Sequence, residues 1–220
     1  MASASANTVE CCIEECRAAL LHSLQVDWLN FTKSNQSFGS LAYELTSDRD
    51  SLAEDLTSLK VIPLFRHKNI SFWVSISLSF LFIERTWAPT KAKIIVFSGD
   101  VSDTKKFPLL RAEWERNFDG EPEAIHAQPH WHVYTLNNQQ QTQEVSPEAV
   151  EFGATKPSTS MTPGDIDLSH FHFAMEANWH SNGRGNQQQL LEIAALRNWI
   201  DGCTSYISEQ LAYLCMKIDN

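Results

Sequence analysis

The sequence has no hydrophobic run long enough to cross a bilayer. Its most apolar stretch, residues 72–83, is interrupted by Ser75, Ser77 and Ser79. Near Met1 it also lacks a basic segment followed by an apolar one, so no secretory leader is expected. Cysteine is scarce and odd in number: Cys11, Cys12, Cys16, Cys203 and Cys215. Without export, five thiols do not make a disulfide framework, and small core residues are the expectation. A cytoplasmic protein that does not use a membrane follows as the working expectation. Positive charge is short as well. Lys and Arg number 17 against 27 Asp and Glu, a net of −10, which argues against a nucleic-acid footprint over the whole surface. No phosphate-binding loop, dinucleotide fingerprint or nucleophile elbow occurs.

The charge that is present is unevenly spread. Residues 1–60 carry 4 basic and 9 acidic side chains, residues 61–120 carry 9 and 6, and residues 121–220 carry 4 and 12. The middle third is therefore the stretch that could attract an anion. A hydrophobic content of 43% with 20% charged residues is ordinary globular usage. One domain over residues 1–220 is expected.

Hydrophobic periodicity divides the chain into three parts. Residues 8–33 read as an amphipathic helix, with Ile13, Cys16, Leu20, Leu24, Trp28 and Phe31 at spacings of three and four. Further helices are expected over residues 41–46 and after Ser51, where Leu52, Leu56 and Leu59 share a face, so residues 1–62 form a helical part. From Ile70 the alternation becomes period two, and strands are expected over 70–86, 93–98, 109–116, 124–136 and 168–179. Residues 137–165, rich in Gln, Asn, Ser, Thr and Pro, read as a flexible insertion within the sheet region 63–180. A helix over 187–214 closes the chain, with Leu190, Ile193, Ile200, Ile207, Leu211 and Leu214 as its stripe. The predicted class is α+β: a mainly antiparallel sheet of about five strands with N-terminal helices and a C-terminal helix on its apolar face.

Strand alternation then isolates an unusual surface. Successive side chains in a strand point to opposite faces. His126, Gln128, His130, His132 and Tyr134 share one face, while Trp131 points to the other. His170, His172 and Glu176 share a face, opposite Phe171 and Phe173. Arg111, Glu113 and Glu115 oppose Leu110, Ala112 and Trp114, and Ser75, Ser77 and Ser79 provide a row of small side chains. Five of the eight histidines thus lie on two polar strand faces. If those strands pair, His130, His132, His170 and His172 form one cluster.

Three chemistries use such a cluster. Imidazoles and a carboxylate can hold a divalent metal, zinc or manganese, with His130, His132, His170, His172 and Glu176 as ligands. Histidines can do metal-free acid–base work at a phosphodiester, with His130, His132, His170, His172 and Glu113 as proton-transfer groups and Arg111 on the anion. The face can also be a contact surface without chemistry. The first expectation is therefore a hydrolase-like protein, a phosphodiesterase or nuclease, taking a small substrate or a nucleic acid delivered by a partner. The alternative is a non-catalytic subunit of a larger assembly, using its terminal helices for a homodimer or protein partner and the histidine face as contact or structural metal site.

Overall fold

The computed structural model describes residues 3–24, 26–37, 39–47, 51–55, 57–68, 70–103, 106–116, 129–134, 168, 171 and 193–218. Among these residues, two helices flank eight strands in chain order. Helix α1 is Ser3–Ser23. The strands are β1 (Leu29–Ser37), β2 (Ser40–Ser47), β3 (Ser51–Asp55), β4 (Thr57–His67), β5 (Ile70–Ile83), β6 (Thr86–Ser98), β7 (Phe107–Glu115) and β8 (His130–Val133). Helix α2 is Ile193–Ile218. No helix among the described residues is long and apolar enough to cross a membrane.

Every strand pair is antiparallel, and the main path runs β1-β2-β5-β6-β7-β8. Strand β5 is the organising element. One of its edges pairs with β6 along its length, from Phe72↔Ser98 to Ile83↔Thr86. Its other edge is shared: the first half pairs with β4 and the second with β2. Among the described residues, strand β3 pairs with β4 alone. The β5–β6 hairpin closes through Glu84 and Arg85, at φ 49° and 69°. Two-residue hairpins need this left-handed backbone to match the strand twist, and here residues other than glycine supply it.

The core lies on one face of this sheet. Phe72, Val74, Ile76, Leu78 and Phe80 of β5 meet Ala92, Ile94 and Val96 of β6 and Leu110, Ala112 and Trp114 of β7 there. Both helices cover them. Helix α1 contributes Val9, Cys12, Ile13, Cys16 and Leu20, and α2 contributes Leu196, Ile200, Ile207, Leu211 and Leu214. Burying each such Leu or Ile stabilises the fold by about 1.5–3 kcal/mol, which explains why two helices of modest polarity settle on this face. The helices are joined to each other through a Ser23–Asp201 hydrogen bond and a 3.9 Å ion pair between Arg197 and Glu15. Cys12, Cys16 and Cys215 are buried in this layer, as core thiols should be.

The N-terminal third departs from the helical expectation. Helix α1 ends at Ser23, and Leu29–Ser37 is an edge strand. Trp28, placed on the helical stripe by its spacing, is 48% exposed in the connection. Residues 41–46 are strand, because Leu41, Tyr43 and Leu45 alternate inward and pair with β1 and β5. The leucines after Ser51 have helical spacing, yet Ser51–Asp55 and Thr57–Val61 form a tight antiparallel pair. Strand pairing outweighs a local helical period in both places, long-range with β5 for β2 and with the adjacent β4 for β3. The mainly antiparallel α+β class is as expected, with eight strands among the described residues against about five expected. Strand β8 is shorter than the expected 124–136 stretch, of which residues 129–134 are described. Of the strand expected over 168–179, only Leu168 and Phe171 are described. Phe171 is buried, with its ring 6.3 Å from Trp131 and 6.4 Å from Tyr206. Both aromatics thus take the core role their alternation indicates.

Candidate metal and anion site on the polar face

The register fixes what stands on the sheet's other face. Reading across β1, β2, β5, β6, β7 and β8, one row is Thr32, Glu44, Ser77, Lys93, Glu113 and His130. The next row toward one end is Ala42, Ser79, Lys91 and Glu115. The next toward the other end is Ser75, Ile95, Arg111 and His132. Beyond it the face becomes apolar again. Trp73, Ile95 and Phe97 form a second cluster with Val61, apart from the main core. The Trp73 indole N–H donates to the Gly99 carbonyl at 2.9 Å, and the Lys106 ammonium sits 4.7 Å above its ring. The charged rows are therefore bordered by a packed wall.

Glu113 is the centre of these rows. It is only 5% exposed. A buried carboxylate persists only when it is paired. Lys91 supplies one partner, Nζ to Oε1 at 2.7 Å, and also reaches Glu115 at 3.3 Å. Arg111 supplies the other, Nε to Oε2 at 3.0 Å. Burial alone would push the Glu113 carboxyl up. The Lys91 hydrogen bond and the charges of Arg111, Lys91 and Lys93 outweigh it, and hold the group below the usual carboxylate range. Burial likewise opposes the charge on Lys91, but Glu113 and Glu115 overcome it and its ammonium is held above the ordinary value.

The two histidines of β8 complete the group. His130 stands opposite Glu113, with its Nε2 4.0 Å from Glu113 Oε2. His132 stands opposite Arg111, and the two imidazoles meet edge to face at 4.7 Å. One donor atom each from Glu113, His130 and His132 lies within 4.8 Å of the others. The three could hold a metal ion. Donors sharing one zinc are about 3.3 Å apart, so the side chains would close in by up to roughly 1.5 Å, a rotamer-scale movement. The donor set of two imidazoles and a carboxylate suits zinc-like ions.

Four of the residues singled out from the sequence thus come together: Arg111, Glu113, His130 and His132. His170, His172 and Glu176, expected to join them, lie outside the described residues. Sequence reading missed Lys91 and Lys93. Their signal was present: Lys91-Ala92-Lys93 continues backward the alternation of the strand expected from Lys93, putting both lysines in phase with the polar row. No protein-family profile, curated protein or solved structure matches the chain.

Proposed function

We propose that the charged rows of β6, β7 and β8 are the active site of a metal-assisted hydrolase acting on phosphodiesters. The observation that carries this reading is the convergence of Glu113, His130 and His132 within 4.8 Å of one another. A divalent ion, zinc or manganese, bound there would supply an activated water and neutralise developing charge. Arg111 lies beside the group, where it can orient a phosphate. The row of Ser75, Ser77 and Ser79 sets small polar side chains beside Lys91 and Lys93. The overall charge of −10 favours a small phosphodiester, or a nucleic acid presented by a partner, over a long duplex.

One observation favours a second reading. Both oxygens of Glu113 already face cations, Lys91 and Arg111, and an incoming dication must compete with them. Without metal, His130 and His132 would pass protons while the cations stabilise the phosphorane-like charge. Hydrolysis of bis(p-nitrophenyl) phosphate, with and without added zinc or manganese, separates the two. The metal reading expects turnover that chelation abolishes and that His130→Ala/His132→Ala lacks despite an unchanged circular dichroism spectrum. Turnover that survives chelation selects the metal-free reading. An equally active double variant would remove both, leaving the polar face as a contact surface.

A further inference from the structure

Three cations stand around Glu113, and two of them are committed. Lys91 pairs with Glu113 and Glu115, and Arg111 pairs with Glu113. Lys93 is different. Among the described residues its ammonium makes no salt bridge, although it stands in the same row, between Ser77 and Glu113. Its side chain is half-buried. Burial disfavours its charge, Glu113 directly across the strand pair favours it, Lys91 and Arg111 in the rows on either side repel it, and Glu44 favours it. A cation held in this way between two others gains from an anion that it can meet directly. The neighbour of Lys93 across the β5–β6 pair is Ser77, with Ser79 and Ser75 in the rows on either side, so small side chains stand next to it on β5.

We propose that Lys93 is the anion-recognition residue of this face, binding the phosphate of a phosphate mono- or diester with Arg111 beside it. The substrate class rests on the phosphodiester reading above, but the anion site itself does not. A lysine ammonium is a compact point charge with three donors, suited to a tetrahedral oxyanion approached from one side. Arg111, already tied to Glu113 through Nε, would add its remaining guanidinium N–H groups at the edge of the same space. Lys93 therefore becomes a binding residue, and Lys91 a positioning residue that keeps Glu113 ionised.

Calorimetric titration at low ionic strength tests this with inorganic phosphate and dimethyl phosphate as probes and acetate as the planar comparison. The proteins are the wild type, Lys93→Ala, Lys93→Arg and, as a control on the opposite face, Lys33→Ala. Loss of a charge-assisted contact should weaken phosphate binding by about tenfold in Lys93→Ala. Lys93→Arg should restore most of it, and Lys33→Ala should match the wild type. A wild type that binds no phosphate overturns the proposal. So does equal weakening by Lys93→Ala and Lys33→Ala, or binding untouched by Lys93→Ala. The two readings fail separately. Wild type that hydrolyses phosphodiesters with a KM unchanged in Lys93→Ala refutes the role of Lys93 alone. Phosphate binding that needs Lys93, without any hydrolysis, refutes the hydrolase and leaves the anion site standing.

Discussion

Ile76 and Ser77, Lys93 and Ile94, Ala112 and Glu113 are neighbours in the chain and opposites in environment. The first face of the sheet is a continuous apolar layer closed by two helices. The second carries serines, three cations, a buried carboxylate and two imidazoles, with a small apolar cluster at the Trp73 end. The same strands supply both. What differs is which term sets the residue. On the helix-covered face, volume and hydrophobicity decide. On the other, charge pairing decides, and residues stand there that contribute little to stability. Such an arrangement is expected where a sheet is both scaffold and working surface.

The largest effect is expected on the helix-covered face. Ile94→Ala, at a fully buried position, should cost about 2–5 kcal/mol in urea unfolding. Lys93→Ala, the preceding residue, should change stability by no more than about 0.5 kcal/mol. Equal losses would mean that the second face is structural too.

A smaller effect is expected at Glu113. Glu113→Gln removes the shared partner of Lys91 and Arg111, and should cost about 1 kcal/mol, since both cations are partly exposed and screened. The pH dependence follows from the lowered carboxyl. A group held below its unfolded value stabilises the fold above the ordinary carboxylate range, and that contribution is lost as pH falls through the lowered value. Urea midpoints from neutral pH down to about pH 3 should therefore fall more steeply for the wild type than for Glu113→Gln. Parallel curves would show that the carboxylate is not held by its cations.

The smallest stability effect should come from Ser77→Val. It places an apolar residue with good strand propensity on the polar face, and should leave stability within about 0.5 kcal/mol of the wild type. It should nonetheless weaken phosphate binding by filling the space beside Lys93. Unaltered binding would show that the serine row is not part of the site.

The sheet was largely legible because period-two alternation is strong where one face is buried. It marked Ile70–Ile83 and assigned Ser75, Ser77, Arg111, Glu113, His130 and His132 to one side. The N-terminal third was not, for a physical reason. The leucines at 52, 56 and 59 fit a helical period, but Leu52 and Leu59 lie in the β3–β4 hairpin, whose pairing the local spacing does not reveal. Strand β1, with its run of Thr, Lys, Ser, Asn and Gln, lies at the edge of the sheet, where burial imposes little pattern. Faces can be read from sequence but neighbours cannot. That is why Lys91 and Lys93 escaped notice: their importance depends on β6 lying between β5 and β7.

The proposed metal site of Glu113, His130 and His132 on the polar face is tested by metal content from mass spectrometry, on protein purified without a histidine tag, beside His130→Ala/His132→Ala. About one zinc or manganese per chain is expected in the wild type and none in the folded double variant. Wild-type protein that carries no metal, and takes up none when dialysed against zinc or manganese, would contradict it.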